Sequence, residues 1–431
     1  MFIAGSNSPV KNTSYKVVLP FYAYAALSFL LAAILILGDT SAFTRHYFDP
    51  RALAITHAMA LGWGTMIILG ASHQLFPVLI EGKLHSNLLA YLSFVFAAIG
   101  IPLLVYSFYK FDMGGTAQIG AILINFAVLC YLANLWLSMT NAKNNNVHAI
   151  FALTSVCWLL LTTGLGLLLV YNFNWDILSR NSLHYLSLHA HLGIVGWFLL
   201  MVTGIGSRLI PMFLISKYEE RRHLWWVYGT INGGLLVFVL LFLLSAPSAL
   251  YFLPIGSICS GVLLFGYYIY RAFAERIRKK VDGQVRISML SVVFTLIPLI
   301  ILAVFIALFA TIGNLQLILL YGFTVFFGWI TAIILGMTFK TLPFIVWNKV
   351  YHNIAGLGKT PNPKQLFSST IFIVNGITYL AGFVVFGAGI VRTDILLLNI
   401  GAILLLVTAL LYNLNVFKIL FHKARSNEYK N

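Results

Sequence analysis

Charge is scarce in this chain, and acidic charge is scarcest. Of 431 residues, 27 are Lys or Arg and only 11 are Asp or Glu, while 60% are hydrophobic. A soluble chain of this length needs a charged, solvated surface, and so few charges cannot cover one. The acidic residues all lie between long apolar runs, at their edges or near a terminus: Asp39, Asp49, Glu81, Asp112, Asp176, Glu219, Glu220, Glu275, Asp282, Asp394 and Glu428. Proton relays through a bilayer conventionally use buried carboxylates, so such a relay has no stations here. Cysteine is rare as well. Cys130, Cys157 and Cys259 are far apart, form no CxxC pair and sit within apolar runs, which reads as buried small hydrophobes. No P-loop, GxSxG or HExxH is present, and no pair of carboxylates falls within a run.

What remains is a series of apolar runs, each long enough to cross about 30 Å of hydrocarbon as a helix. They do not alternate, which excludes a β-barrel. Twelve spans are expected, at 15–38, 53–79, 87–109, 117–139, 148–172, 185–214, 223–245, 249–271, 287–311, 316–345, 366–388 and 394–421. The first follows Lys11 and Lys16, is too long for a signal-peptide core and precedes no small-residue cleavage site, so it is read as a true helix. The connections leave no room for an extramembrane domain. The expectation is a single all-α membrane domain over 1–431.

The formal charge of +16 follows the spans. With the N-terminus inside, 20 Lys and Arg fall on the cytoplasmic side and five on the other: Arg45, Arg51, Lys110, Arg180 and Arg392. That asymmetry predicts both termini in the cytoplasm, in a bacterial cytoplasmic membrane. The basic excess is then an orientation device with some affinity for anionic lipid. It is not a nucleic-acid surface, because no basic patch interleaved with aromatics sits on a soluble module.

One skeleton occurs three times: Gly62-Trp63, Gly70, Gln74, Pro77; Gly196-Trp197, Gly204, Arg208, Pro211; and Gly328-Trp329, Gly336, Lys340, Pro343. Each reads G-W-x6-G-x3-[QRK]-x-x-P, at offsets of 134 and 132 residues. These are the second, sixth and tenth spans, so the twelve divide into three four-helix blocks at roughly 15–139, 148–271 and 287–421. The predicted arrangement is pseudo-threefold, with glycines allowing close helix approach and indoles filling the adjacent volume. Each proline is placed where its helix ends, and Gln74, Arg208 and Lys340 one turn earlier, positioned to snorkel into the interface.

Histidine is the side chain here suited to carry chemistry. His57 and His191 both lie five residues before the first skeleton glycine, and Phe323 holds that place in the third block. Two imidazoles on equivalent faces of neighbouring helices suit a haem iron held from both sides in an apolar slot. The structural alternative is a pair satisfied by interhelical hydrogen bonds. His189 is about 200° around the helix from His191, so the two cannot share one iron, but His189 could serve a second haem or a metal such as copper. His73 lies about 24 Å deeper than His57 and is a weaker candidate for that second site. His184 reads as interfacial. His46, His85, His148, His223, His352 and His422 read as solvated.

The chain resembles the haem-copper oxidase subunit I superfamily, including its short subunit I-like relatives and, more distantly, the NnrS family. The likeness rests on twelve helices in three blocks, on His57-Ala58-Met59 through Gly70-Ala71-Ser72-His73-Gln74-Leu75-Phe76-Pro77, and on His189-Ala190-His191. The first stretch looks like the family's second helix, whose histidine ligates a low-spin haem. The H-x-H pair sits on the sixth helix here, where the family carries it on the tenth. The seventh span has only His223 at its edge, and the tenth has no histidine, so the family's copper or non-haem iron ligands are missing. The resemblance therefore implies a non-pumping b-type haem protein for electron transfer or a nitric-oxide- or haem-linked response, with NO or O2 as gas ligands. The alternatives are an oxygen or nitric oxide reductase with a rearranged site, which would make the chain an oxidoreductase, and a haem-free transporter or structural partner. The redox partner is not indicated.

Overall fold

The computed structural model describes residues 13–140, 146–277, 279–308, 315–354 and 360–424. Twelve helices are long and apolar enough to span a membrane: α1 Tyr15–Gly38, α2 Pro50–Leu79, α3 Asn87–Lys110, α4 Gly115–Thr140, α5 Val147–Trp175, α6 Leu186–Leu214, α7 Arg221–Leu243, α8 Ser248–Ala274, α9 Gly283–Ala307, α10 Leu315–Tyr351, α11 Ser369–Arg392 and α12 Ile395–Leu420. The described residues contain no strand beyond an isolated bridge between Ser216 and Arg276. An integral membrane protein follows. In lipid every backbone group must be satisfied within its own segment, which helices achieve.

Short polar side chains start the helices by taking up free backbone N–H groups. Asp49 accepts from Arg51 N with Pro50 in the first turn, Asn146 from Ala149 N, and Asp394 from Leu396 N and Leu397 N. The expected boundaries agree to within a few residues except in α10. That helix runs eight residues past Pro343, whereas α2 and α6 stop soon after Pro77 and Pro211. Its extension is tied down by Trp347 Nε1 donating to the Pro361 carbonyl at 2.6 Å and by a 2.8 Å bond between Tyr351 and His422. The three cysteines also differ from expectation: Cys157 is exposed, and Cys130 and Cys259 are half-buried, so they face outward from the bundle.

The three skeleton segments share a local structure that their sequences do not announce. Each contains a π-helical stretch, at Ala58–Thr65, Leu192–Leu199 and Thr324–Ile330, beginning directly after His57, His191 and Phe323. Such widened turns interrupt α-helices chiefly at functional sites. The second glycine of each skeleton is a point of closest approach. A methyl there would overlap Phe21 of α1 at Gly70, Phe151 of α5 at Gly204 and Ser288 of α9 at Gly336. Each therefore packs on the first helix of its own block.

Contacts between blocks recur with the same register. Trp63 Nε1 donates to Thr331 Oγ1 at 3.1 Å, and Trp197 Nε1 donates to Thr65 Oγ1 at 3.0 Å. In both bonds the indole reaches the residue two past the tryptophan of another block. For Trp329 the matching position is Leu199, which cannot accept, and Trp329 Nε1 is buried without a partner. Within blocks, Ser72 bonds Tyr131 at 2.6 Å and Thr338 bonds Tyr412 at 3.0 Å. The middle block has Gly206 against Phe265 there.

Candidate functional site

His57, His189 and His191 lie near the starts of α2 and α6, at the end of the bundle opposite the start of α1 and the end of α12. His57 closes the first turns of α2, and its Nδ1 lies 2.8 Å from the Leu53 carbonyl. On α6, His189 Nδ1 lies 3.1 Å from the Thr162 carbonyl of α5, and His191 Nδ1 lies 2.7 Å from the Ser187 carbonyl. A carbonyl only accepts, so each Nδ1 carries its proton and each Nε2 keeps a free lone pair. This is the arrangement of metal-binding histidines, whose other ring N–H is held by a backbone or carboxylate acceptor.

All three imidazoles line one cavity of about 740 Å³. Its size falls within the range of roughly 300–1,000 Å³ usual for cofactor and ligand sites. The walls are mainly apolar, among them Leu104, Phe108, Ile124, Phe198, Phe238 and Phe326. Phe43 and Tyr47, from the α1–α2 connection, also line it. That connection is braced by Arg45, which contacts Asp39 and Asp49 at 2.7 Å each. Burial alone would raise the Asp39 carboxyl, but hydrogen bonds from Arg45 and Ser41 hold it below its ordinary value.

The rings that come together are His57 and His189, with centroids 6.3 Å apart and planes 21° apart. The equivalent-position pair, His57 with His191, is not the close one. The reason is register: the residue five before the skeleton glycine in one block meets the residue seven before it in the next. The same rule sets His191 against Tyr321, at 5.7 Å and 26°. His191 also touches Phe238 at 5.0 Å, and its Nε2 is buried without a partner. In the third block Phe323 stacks on Phe327, Phe383 and Phe386, so that position is wholly aromatic.

Two further groups set the position of the His57–His189 pair. Phe108 lies 4.4 Å from the His57 ring. Gly166 of α5 faces His189, where a Cβ would come to 2.9 Å from Cε1. A residue with any side chain at position 166 would push the imidazole out of its place.

His73 stands apart, absent from the cavity walls, fully buried between Phe21 and Tyr131, with neither ring nitrogen hydrogen-bonded. No group of three or more His, Cys, Asp or Glu suited to a metal ion occurs among the described residues. His148, expected to be solvated, is buried and bonds Ser207 Oγ at 2.8 Å. His184 lines the cavity and packs on Phe242 at 5.3 Å. Lys340, expected to snorkel, instead pairs with Asp282 at 2.7 Å, and Lys364 reaches the other carboxylate oxygen at 2.5 Å. Burial would raise the Asp282 carboxyl, but the two ammonium partners outweigh it and hold it at about 2. Tyr321 and Gly166 are the cavity residues that a reading by residue type overlooks. Counting back from Gly328 finds Tyr321, whereas nothing local marks Gly166.

No family model matches the chain, and no curated protein resembles it.

Proposed function

We propose that this chain is a non-pumping, haem-binding membrane protein, with one haem b held between α2 and α6 by His57 and His189. The observation that carries this is the pair itself. Two imidazoles with anchored Nδ1–H groups and free Nε2 atoms stand 6.3 Å apart, centroid to centroid, in an apolar cavity. Two metal–imidazole bonds of about 2 Å, plus the near halves of both rings, span roughly 6 Å. The fit extends to the surroundings, since a flat, apolar macrocycle matches walls such as Leu104, Ile124 and Phe108. When bound, the haem would supply one-electron redox chemistry; the residues of this chain orient it and exclude water.

The 5.7 Å between His191 and the Tyr321 ring leaves no comparable space for a second macrocycle. His191 Nε2 is buried in the wall of the same cavity without a hydrogen-bond partner, and the apolar cavity itself has room for a small gas such as NO or O2. A single histidine without companions makes a poor copper site, which favours electron transfer or gas response over a terminal reductase. The lack of carboxylates within spans argues against proton pumping. Likeness to haem-copper oxidase subunit I supports the same reading, as do the two matching indole bonds that link the repeated segments. The excess of basic residues places both termini in the cytoplasm under this proposal.

The test is a reduced-minus-oxidised spectrum of the purified protein. The wild type should carry a six-coordinate low-spin haem, lost in His57→Ala and in His189→Ala but kept in His191→Ala. Loss in His191→Ala with retention in His189→Ala would reverse the pairing. No haem absorption in the wild type would leave a haem-free transporter or structural protein.

A further inference from the structure

Below the histidine cavity lies a second one of about 100 Å³, lined by the three skeleton helices and by Tyr22 of α1. Its lining includes Ile67 and Ala71 of α2, Met201 and Ile205 of α6, and Ile334 and Met337 of α10. The hydroxyls around it already have partners. Tyr22 bonds Thr341 at 2.9 Å, Ser72 bonds Tyr131 at 2.6 Å, and Thr338 bonds Tyr412 at 3.0 Å. A water held in a cavity needs two to four polar partners, and the lining here is almost wholly apolar, its few hydroxyls already paired with one another or with neighbours. Apolar cavities of this kind stay dry and take up apolar guests.

We infer that this central cavity is a binding site for a small apolar gas molecule, of diatomic or noble-gas size. The two cavities are close neighbours along every helix that lines both. The upper one reaches Thr65, Phe198 and Phe327, while the lower one begins at Ile67, Met201 and Ile330. A single helical turn, about 5 Å, separates them. The three tryptophans of the skeletons lie close to this junction, with Trp197 in the wall of the upper cavity. Two of the indoles are hydrogen-bonded, Trp63 to Thr331 and Trp197 to Thr65. The third indole, Trp329, has no acceptor for its Nε1, and the position that matches Thr331 and Thr65 is Leu199. The route of gas exchange between the two cavities is assigned to the Trp329 position, whose indole alone of the three lacks a hydrogen bond.

Occupancy of the lower cavity stands on its own geometry. Its use as a reservoir for a ligand of the histidine cavity rests on the haem reading. The experiment uses 13C-methyl methionine labels in the full-length protein under xenon pressure. Met201 and Met337 line the cavity, and Met113 lies outside it as an internal control. The two lining methyls should shift saturably with xenon while Met113 does not. Ala71→Leu, which grows into the space, should abolish the shifts. Leu199→Thr supplies the missing acceptor and should slow xenon exchange about tenfold while leaving saturation intact. Unsaturable shifts shared by all methionines would overturn the site, as would methyl contacts to bound water. Unchanged exchange in Leu199→Thr would overturn the route. Absence of haem absorption would overturn only the haem reading, because the xenon measurement does not depend on it.

Discussion

Gly166→Ala separates a cofactor ligand from a merely buried histidine. The added methyl would stand 2.9 Å from His189 Cε1, with Nδ1 at 3.5 Å. Ordinary carbon contacts begin at about 3.4 Å, so the ring must retreat by about half an ångström, near the tolerance of a productive metal geometry. The atom displaced is the far end of a side chain, and alanine is the better helix former by about 1 kcal/mol, so the fold itself should not weaken. Disturbing the placement of a ligand typically lowers metal affinity 10- to 100-fold. The expected outcome is haem occupancy or affinity reduced by that factor, or a shift from low-spin to high-spin, with helicity and thermal stability unchanged or slightly raised. Gly164→Ala on the same helix is the control, since its methyl would meet only Asn125 Oδ1, at 4.0 Å. Haem titration by absorbance reads both variants. Wild-type affinity and spectrum in Gly166→Ala would refute the assignment of His189, and equal losses in both variants would point to a general effect on α5.

Three other outcomes are expected. At position 199, Thr should be more stable than the isosteric Val by about 1 kcal/mol in reversible unfolding, because its hydroxyl gives Trp329 Nε1 an acceptor; a buried hydroxyl with no such partner would reverse the sign. The folded Asp282 carboxyl, held at about 2, lies below its unfolded value, so its stabilisation is full above about pH 4 and is lost as pH falls toward 2. Asp282→Asn should remove that slope together with about 1–2 kcal/mol after allowance for solvent screening, and an unchanged acid-unfolding profile would count against the clasp. With Cys130, Cys157 and Cys259 replaced, a membrane-impermeant maleimide should label Asn181→Cys in intact cells and Lys280→Cys only after permeabilisation; the opposite pattern would invert the topology.

Length and polarity were legible in the sequence because bilayer physics writes them in composition. Twelve apolar runs gave twelve helices, and the only large misjudged end, that of α10, depends on contacts to Pro361 and His422 that lie far along the chain. The candidate histidines were legible as residue types at repeated offsets, but their partners were not. Sequence symmetry pairs position with equivalent position, whereas packing side by side offsets neighbours by about half a turn. His57 therefore meets His189, two residues before its counterpart. The cysteines and His148 were misjudged for a related reason. A span that is apolar all round carries no moment to say which face looks inward, so Cys157 falls on the outer face and His148 inside.

On the haem proposal, the two ligands come from different segments of the sequence repeat, His57 from the first and His189 from the second. A position-for-position copy would put the same pair of side chains at every junction. Here two junctions carry His57 with His189 and His191 with Tyr321, while the matching position of the third block, Phe323, is taken up in an aromatic stack within its own block. The first offers two nitrogen donors, the second one donor facing a phenol ring, and the third none. Asymmetry runs through the layer beneath as well, where two indoles are bonded and one is not. The widened π-turn is common to all three blocks, so the backbone geometry for a site is the shared inheritance of the repeat. On the haem proposal, side-chain choice at these positions decides whether a junction binds or merely packs. Tyr321→His is the direct consequence: it gives the second junction the donors of the first, though the 5.7 Å ring separation there must open before a second haem can enter. Unchanged haem stoichiometry in that variant would mean that spacing, rather than donor identity, limits this junction.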